Sequence, residues 1–503
     1  MSQIKKLAGQ TLWYGLPTIL SRFLGYLMNL TLPLFFAMPD RTADLTQVYA
    51  AIPFLNVLFT YGLETAYFRF SQDNDKKDLY NTLSVSMICS TIAFTITLFL
   101  FKGTLVNVFN VEKYPQYITW MILIIAADAI GTIPFARLRQ ENRPKKYAFA
   151  RLAGIFLNVL IVLFFMAIVP AIVKKNPDSF FSRFITPDGG IIYYLIGNFC
   201  GSLFTLFVLQ SEIRSIQFKF NRKLWGHVMK YAYPLVIVGL GGMINDMLSR
   251  LIYQHVVDLP EKEAKYELGI FGNVYRIAVL ITIMIQAFRM AAEPFFFNRS
   301  KDTDAPKTYA RIMKFFVIAC CFMFLFIALF IDVFKWFFEA IHRENWVAGL
   351  DIVPLLALGN IFLGVYYNLS IWYKLTNKNV QGAFITIGGA LITIVLNIIL
   401  IPIWHYTGAA IATFCCYLFM MVVSYTQGQK HYRIPYARKK LLAYIFTVVF
   451  IYLIHLGLTR FISGNLLFSI FTGIFLLAFF TWLIKNTEAK ELKKMPYINR
   501  FIK

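Results

Sequence analysis

An α-helix needs about twenty consecutive apolar residues to cross the hydrocarbon core of a bilayer, and this chain supplies that pattern fourteen times. The stretches lie near 11–38, 47–69, 82–101, 117–136, 149–173 and 191–211, then 231–256, 268–290, 312–334, 352–373, 381–403 and 407–426, with two more near 441–458 and 465–484. Short charged runs separate them. In hydrocarbon every backbone N–H and C=O must find a partner within the segment, so spans of this length are expected to be helical. The predicted fold is therefore an all-α membrane protein of about fourteen spans. Composition argues against a water-soluble domain, because 58% of the residues are hydrophobic and the 15% that are charged are too few to clothe 503 residues. The first stretch follows Lys5 and Lys6 as a secretory leader would, yet it is too long and thirteen more follow, so it is read as span one.

An even number of spans puts both termini on one side, and the distribution of Lys and Arg says which side. The termini and even-numbered loops carry more than three times as many basic residues as the odd-numbered loops, so both termini are expected in the cytoplasm. The richest runs, 137–146 and 436–440, fall on that side. The net charge of +23 is thus explained by topology, and no nucleic-acid partner is expected. A basic cytoplasmic rim also attracts anionic headgroups and diphosphates, at about 1 kcal/mol per residue. The six cysteines, Cys89, Cys200, Cys320, Cys321, Cys415 and Cys416, all fall within apolar stretches with no zinc or disulfide spacing. No metal and no cofactor is expected. The longer outer loops, 174–190 and 335–351, hold Asp178, Asp188, Glu339, His342 and Glu344 without a catalytic arrangement, and no phosphate-binding Gly-rich loop is present. The chain is not expected to be an enzyme.

The sequence reads as duplicated. Val48-Tyr49 and Ala66 recur as Val274-Tyr275 and Ala292 at one constant offset, and Ala148-Phe149 and Gly154 recur as Ala383-Phe384 and Gly389 at another. Pro17 and Ser21-Arg22 of span one are echoed by Pro234 and Ser249-Arg250 of span seven. Six spans per repeat leave both halves in the same orientation, related by an axis along the membrane normal. The expected organisation is an N-lobe over 1–212, a C-lobe over 213–430, and two extra helices with a basic tail over 431–503. In such a layout the substrate path lies between the lobes near the midplane.

Ionisable residues inside spans cost about 2.5 to 3.5 kcal/mol each on insertion scales, so each needs a reason. The candidates are Arg22, Glu64, Arg69, Asp128, Asp246, Arg250 and Arg276. Asp246 and Arg250 share one helix face and can neutralise each other. Glu64 and Asp128 can pair with Arg69 or Arg137, or serve a site. Arg22 and Arg276 have no opposite charge one turn away, which leaves interhelical pairing or a wet cavity. A guanidinium suits a diphosphate because its planar fork donates two parallel hydrogen bonds and stays charged when partly desolvated. Tyr61, Tyr67, Asn245, Asn273, Tyr275 and Gln286 lie near these positions and either line a sugar-tolerant cavity or serve helix packing.

Leu-Ser-Arg-Phe-Leu-Gly at 20–25, Tyr-Gly-Leu-Glu-Thr-Ala-Tyr-Phe-Arg-Phe at 61–70 and Pro-Phe-Ala-Arg-Leu-Arg at 134–139 resemble the amino-terminal lobe of bacterial polysaccharide flippases. Asn-Asp-Met-Leu-Ser-Arg at 245–250, Leu-Gly-Ile-Phe-Gly-Asn-Val-Tyr-Arg at 268–276, Ala-Glu-Pro-Phe-Phe at 292–296 and Leu-Asn-Ile-Ile-Leu-Ile-Pro at 396–402 with Gly-Ala-Ala at 408–410 resemble the second lobe. Those flippases belong to the multidrug, oligosaccharidyl-lipid and polysaccharide exporter superfamily. The resemblance implies a V-shaped pair of six-helix lobes plus two carboxyl-terminal helices, in the bacterial plasma membrane. It implies that oligosaccharide linked to undecaprenyl diphosphate crosses from the cytoplasmic to the outer leaflet for O-antigen or lipopolysaccharide assembly. The implied partners are that lipid-linked oligosaccharide, the surrounding membrane lipids and other polysaccharide-assembly proteins. Arg22 and Arg276 match basic sites of the family on helices one and eight, whereas helix two here offers Glu64 and Arg69. Two other functions fit the same features, a flippase for the peptidoglycan precursor lipid II and a multidrug or cation antiporter using Asp128 or Asp246; a membrane glycan polymerase would need a catalytic arrangement that the outer loops lack.

Overall fold

A computed structural model describes residues 20, 23–28 and 31–492, apart from 72, 142, 300, 301, 377 and 462–464. Among the described residues the chain is helical and contains no strand. The principal helices are α1 (Ala43–Thr60), α2 (Leu63–Phe70), α3 (Lys76–Leu100), α4 (Gln116–Gln140), α5 (Pro144–Leu163), α6 (Ile191–Val208) and α7 (Arg222–Val256). There follow α8 (Glu261–Ala278), α9 (Leu280–Asn298), α10 (Ala305–Leu329), α11 (Val353–Leu369), α12 (Asn379–His431), α13 (Arg438–Phe461) and α14 (Leu466–Thr487). Among them 10 helices are long and apolar enough to cross a membrane, or 11 if α8 and α9, bent by 45° at their junction, form one span.

The difference from the expected fourteen has three local origins. Span one is described only in part, at 20, 23–28 and 31–38, and Arg22 lies outside the described residues. Span two is interrupted between α1 and α2, where Tyr61 and Gly62 take φ of 31° and 73°. That left-handed geometry ends a helix, and Gly62 adopts it without a Cβ that would stand 3.1 Å from the Leu235 Cβ. Spans eleven and twelve run as the single element α12, which reverses at His405 (φ 52°, ψ −135°). On either side of that point neighbours meet in reverse order: Gly389 lies against Met420, Gly388 against Phe419 and Gly408 against Leu400. Element α12 is therefore an antiparallel hairpin.

Helices α3 to α6 pack among themselves, α10 to α12 do the same, and α13 and α14 lie against α10. Helices α7 and α8 join the second group by packing on α12 and α11, and α1 lies between the groups, on α4 of the first and on α7 and α8 of the second. The glycines singled out by the repeat take matching parts, since Gly154 of α5 lets α6 approach at Gly201 and Gly389 lets the two arms of α12 approach.

At one end the two groups are fastened together. Trp346 Nε1 donates to the Phe36 carbonyl at 3.0 Å, Arg343 Nε to the Pro33 carbonyl at 3.0 Å and Lys265 Nζ to the Asn110 carbonyl at 2.8 Å. Gly269 of α8 lies directly on the Pro39 carbonyl, and a Cβ on Gly272 would stand 2.5 Å from Thr46 Oγ1. This end carries the loops expected on the outside. In one of them Asp188 accepts hydrogen bonds from Tyr117, Thr186 and the amides of Gly190 and Ile192, which fixes the turn leading into α6.

Candidate functional site

Just inside that closed end lies a cavity of about 460 Å³. Gly25, Tyr26, Thr46 and Tyr49 line it from the first half, and Asp246, Arg250, Tyr275, Arg276, Gln286 and Tyr367 from the second. Arg276 sits in the last turn of α8, just before the 45° bend into α9, and its side chain lines the cavity. Its Nη2 donates to Thr46 Oγ1 at 3.0 Å, across the two halves. Its Nη1 is buried without a hydrogen-bond partner, and no carboxylate pairs with the group among the described residues. A buried guanidinium with unused donors favours an anionic ligand, because leaving such donors unsatisfied in a low-dielectric site carries a free-energy penalty.

Asp246 and Arg250 lie one turn apart on α7 and form the expected pair, at 3.6 Å. Arg250 Nη2 also donates to the Asp246 carbonyl at 2.7 Å, and its guanidinium lies 4.0 Å from the centroid of the Tyr275 ring. The Tyr275 hydroxyl donates to Asp246. The Asp246 carboxylate is thus engaged from two helices. The cavity retains a net positive character from Arg276.

Glu64 and Asp128 are not part of this cavity. They line a second, polar cavity of about 350 Å³ within the first half, together with Asn56, Arg151, Asn158 and Ser202. Ser202 Oγ donates to Asp128 at 2.7 Å. The expected partners of these carboxylates are corrected by the geometry. Glu64 pairs with Arg139, because Arg69, five residues on, is turned to another face of α2 and binds Asp73 at 2.9 Å in solvent. Arg137 is held by Glu141 at 2.6 Å. Arg69 therefore faces neither cavity. Tyr49, which lines the central cavity, accepts from Asn198 of the second cavity at 3.5 Å, so this pair forms part of the partition.

Of the polar residues noted in sequence, Tyr275 and Gln286 reach the central cavity. Asn245 is buried against α12, donating to the Thr386 carbonyl at 3.2 Å, and Tyr61 hydrogen-bonds Ser86 and Ser90. Asn273 is buried outside the cavity lining. Arg22 lies outside the described residues; Gly25 and Tyr26, three and four positions on, line the cavity. Sequence reasoning missed Thr46 and Tyr49. The repeat held the signal, since the offset that relates Tyr49 to Tyr275 also relates Thr46 to Gly272, the residue it touches.

Residues 7–299 match a family described as polysaccharide biosynthesis protein. No curated protein matches the chain. Among solved structures, the inward closed conformation of the lipid II flippase MurJ is similar with a TM-score of 0.66 at 16% identity, covering 94% of this chain and 99% of that one. An inward-facing multidrug resistance MATE family transporter is similar with a TM-score of 0.59 at 13% identity, covering 83% of this chain and 94% of that one. An outward-facing transporter of the same kind gives 0.53 at 14% identity, covering 86% and 96%. At these identities the likeness is one of fold.

Proposed function

The chain belongs to the polysaccharide biosynthesis protein family, and on that premise we propose that it is a membrane flippase for oligosaccharide linked to undecaprenyl diphosphate. It moves the headgroup from the cytoplasmic to the outer leaflet of a bacterial plasma membrane, with both termini in the cytoplasm, for assembly of O-antigen or related surface polysaccharide. The observation that carries this reading is Arg276, held in a cavity between helices of both halves with Nη1 unpartnered. The planar fork binds diphosphate oxygens and keeps its charge in a partly dry site. Arg22 supplies a second cation, and the lipid tail trails between the lobes. Two lobes, 1–212 and 213–430, related by an axis along the membrane normal, rock against each other. The approach of Thr46 to Gly272 supports such an axis, because repeat-related residues meet where a pseudo-two-fold passes. No chemistry is required of the chain.

The likeness to MurJ over 99% of that chain favours a second reading, a lipid II flippase, equally. Both cargoes present a polyprenyl diphosphate, so Arg276 serves either. A cation antiporter is less well supported, because the carboxylate in the central cavity is already bound by Arg250 and Tyr275.

Deletion of the gene, followed by analysis of lipid-linked intermediates in each leaflet, separates these readings. Surface-polysaccharide intermediates are expected to accumulate in the cytoplasmic leaflet, and accumulation of lipid II instead supports the second reading. Arg276→Ala, at normal membrane levels, is expected not to complement. Full export by that variant overturns the proposal.

A further inference from the structure

A separate cavity of about 570 Å³ opens where α3 begins and α4 ends, lined by Lys76, Lys77, Arg137 and Arg214 with Tyr67 and Tyr80 between them. It shares no lining residue with the central cavity or with the Asp128 cavity. Lys76 opens one apolar helix of 25 residues and Arg137 lies in the last turn of another, so the cavity sits at headgroup depth. It lies on the expected cytoplasmic side.

The acidic residues here are already committed. Glu141, the carboxylate in the lining, receives Arg137 Nε at 2.6 Å and Arg143 Nη1 at 3.4 Å on its two oxygens. On the turn before and at the start of α3, Asp73 binds Arg69 at 2.9 Å, Asp75 accepts the Asp78 amide at 2.8 Å, and Asp78 accepts from the Asn221 side chain at 2.9 Å. Lys76, Lys77 and Arg214 form no ion pair among the described residues. Arg137 is pre-set as a wall, its guanidinium 4.4 Å from the centroid of the Tyr80 ring and its Nη1 on Ser215 at 2.7 Å.

Cations that converge on a concavity repel one another and focus a positive potential into it. A group with several phosphate oxygens relieves that repulsion and accepts from all of them at once. We propose that this cavity is a second anion site, for a phosphomonoester or diphosphate group at the cytoplasmic membrane surface. The group comes either from a lipid headgroup or from a soluble diphosphate, and both present the same oxygens. The site stands apart from Arg276 and does not depend on what the central cavity carries.

Two arms test it on the full chain in nanodiscs. In phosphatidylcholine discs, inorganic pyrophosphate is titrated calorimetrically; in discs doped with phosphatidic acid, retained lipid is counted by native mass spectrometry. At least one arm is expected to give binding that weakens with added salt. The double variant Lys77→Gln/Arg214→Gln is expected to lower it at least tenfold, while Arg214→Lys retains most of it. Binding in the lipid arm alone assigns a headgroup, and binding in the pyrophosphate arm alone assigns a soluble ligand. Absence of binding in both arms overturns the proposal, as does binding that the double variant leaves unchanged. Arg276→Ala is expected to keep this binding; if it alone abolishes binding, the anion sits in the central cavity and the second site does not exist.

Discussion

Arg276 shows what a single charged residue in a span can disclose. Its isolation from any carboxylate one turn away was visible in sequence and pointed to a wet cavity or a distant partner; the structure supplies the cavity and the Thr46 hydroxyl. Asp246 and Arg250 were equally legible, since their one-turn spacing alone predicts the pair found at 3.6 Å. Glu64 was not, because its partner Arg139 comes from another helix and no local spacing encodes that contact. The α7 pair is expected to behave as one unit. Asp246→Asn and Arg250→Gln should each destabilise the protein, while the double variant loses less than their sum by about 1 kcal/mol, a modest coupling because Asp246 is 37% exposed. Thermal unfolding of the four proteins in one detergent measures this, and strict additivity contradicts it.

At the scale of elements, apolar length was readable and helix interruption was not. The breaks at Tyr61–Gly62 and His405 rest on single backbone conformations that hydropathy does not register. The contact of Gly269 with the Pro39 carbonyl fastens α8 to the turn before α1. Backbone cannot yield as a side chain does, so Gly269→Ala is expected to disfavour the closed outer end by about 1–3 kcal/mol. In a chain whose native cysteines are replaced, a cysteine at Tyr26 should then react faster with an impermeant thiol reagent added from outside; an unchanged rate contradicts the contact. The carboxyl-terminal helices have their own anchor. Glu488, after α14, is buried, and burial alone would raise its carboxyl; hydrogen bonds from Lys314, Lys440 and Tyr444 outweigh that and hold it below the usual carboxylate range. A depressed carboxyl stabilises the fold fully above its unfolded value of about 4.3. That contribution fades as pH falls through the lower folded value. Hydrogen exchange at the ends of α13 and α14 should therefore stay slow, after correction for the intrinsic rate, down to about that pH and quicken below it. Lys314→Met, which removes one of the two cations holding this buried carboxylate, should cost about 2 kcal/mol, and exchange unaffected by it contradicts the anchor.

For the whole molecule, the sequence disclosed an all-helical membrane chain, and helices from early and late in the chain meet around a cavity with a cation in its wall. What it could not disclose is the division into two cavities, because Asp128 and Arg276 are both charges in spans and their separation depends on packing across Tyr49 and Asn198. The central claim is that a polyprenyl diphosphate crosses the bilayer on Arg276. Its most direct measurement is leaflet translocation by the purified protein in proteoliposomes, with a lipid-linked diphosphate oligosaccharide scored for accessibility to an external glycan-modifying enzyme. The account predicts that the native chain renders the inner-leaflet pool accessible and that Arg276→Ala reduces the rate at least tenfold, with Arg276→Lys between them. Equal rates for the native and Ala chains, or no acceleration over protein-free liposomes, contradict it.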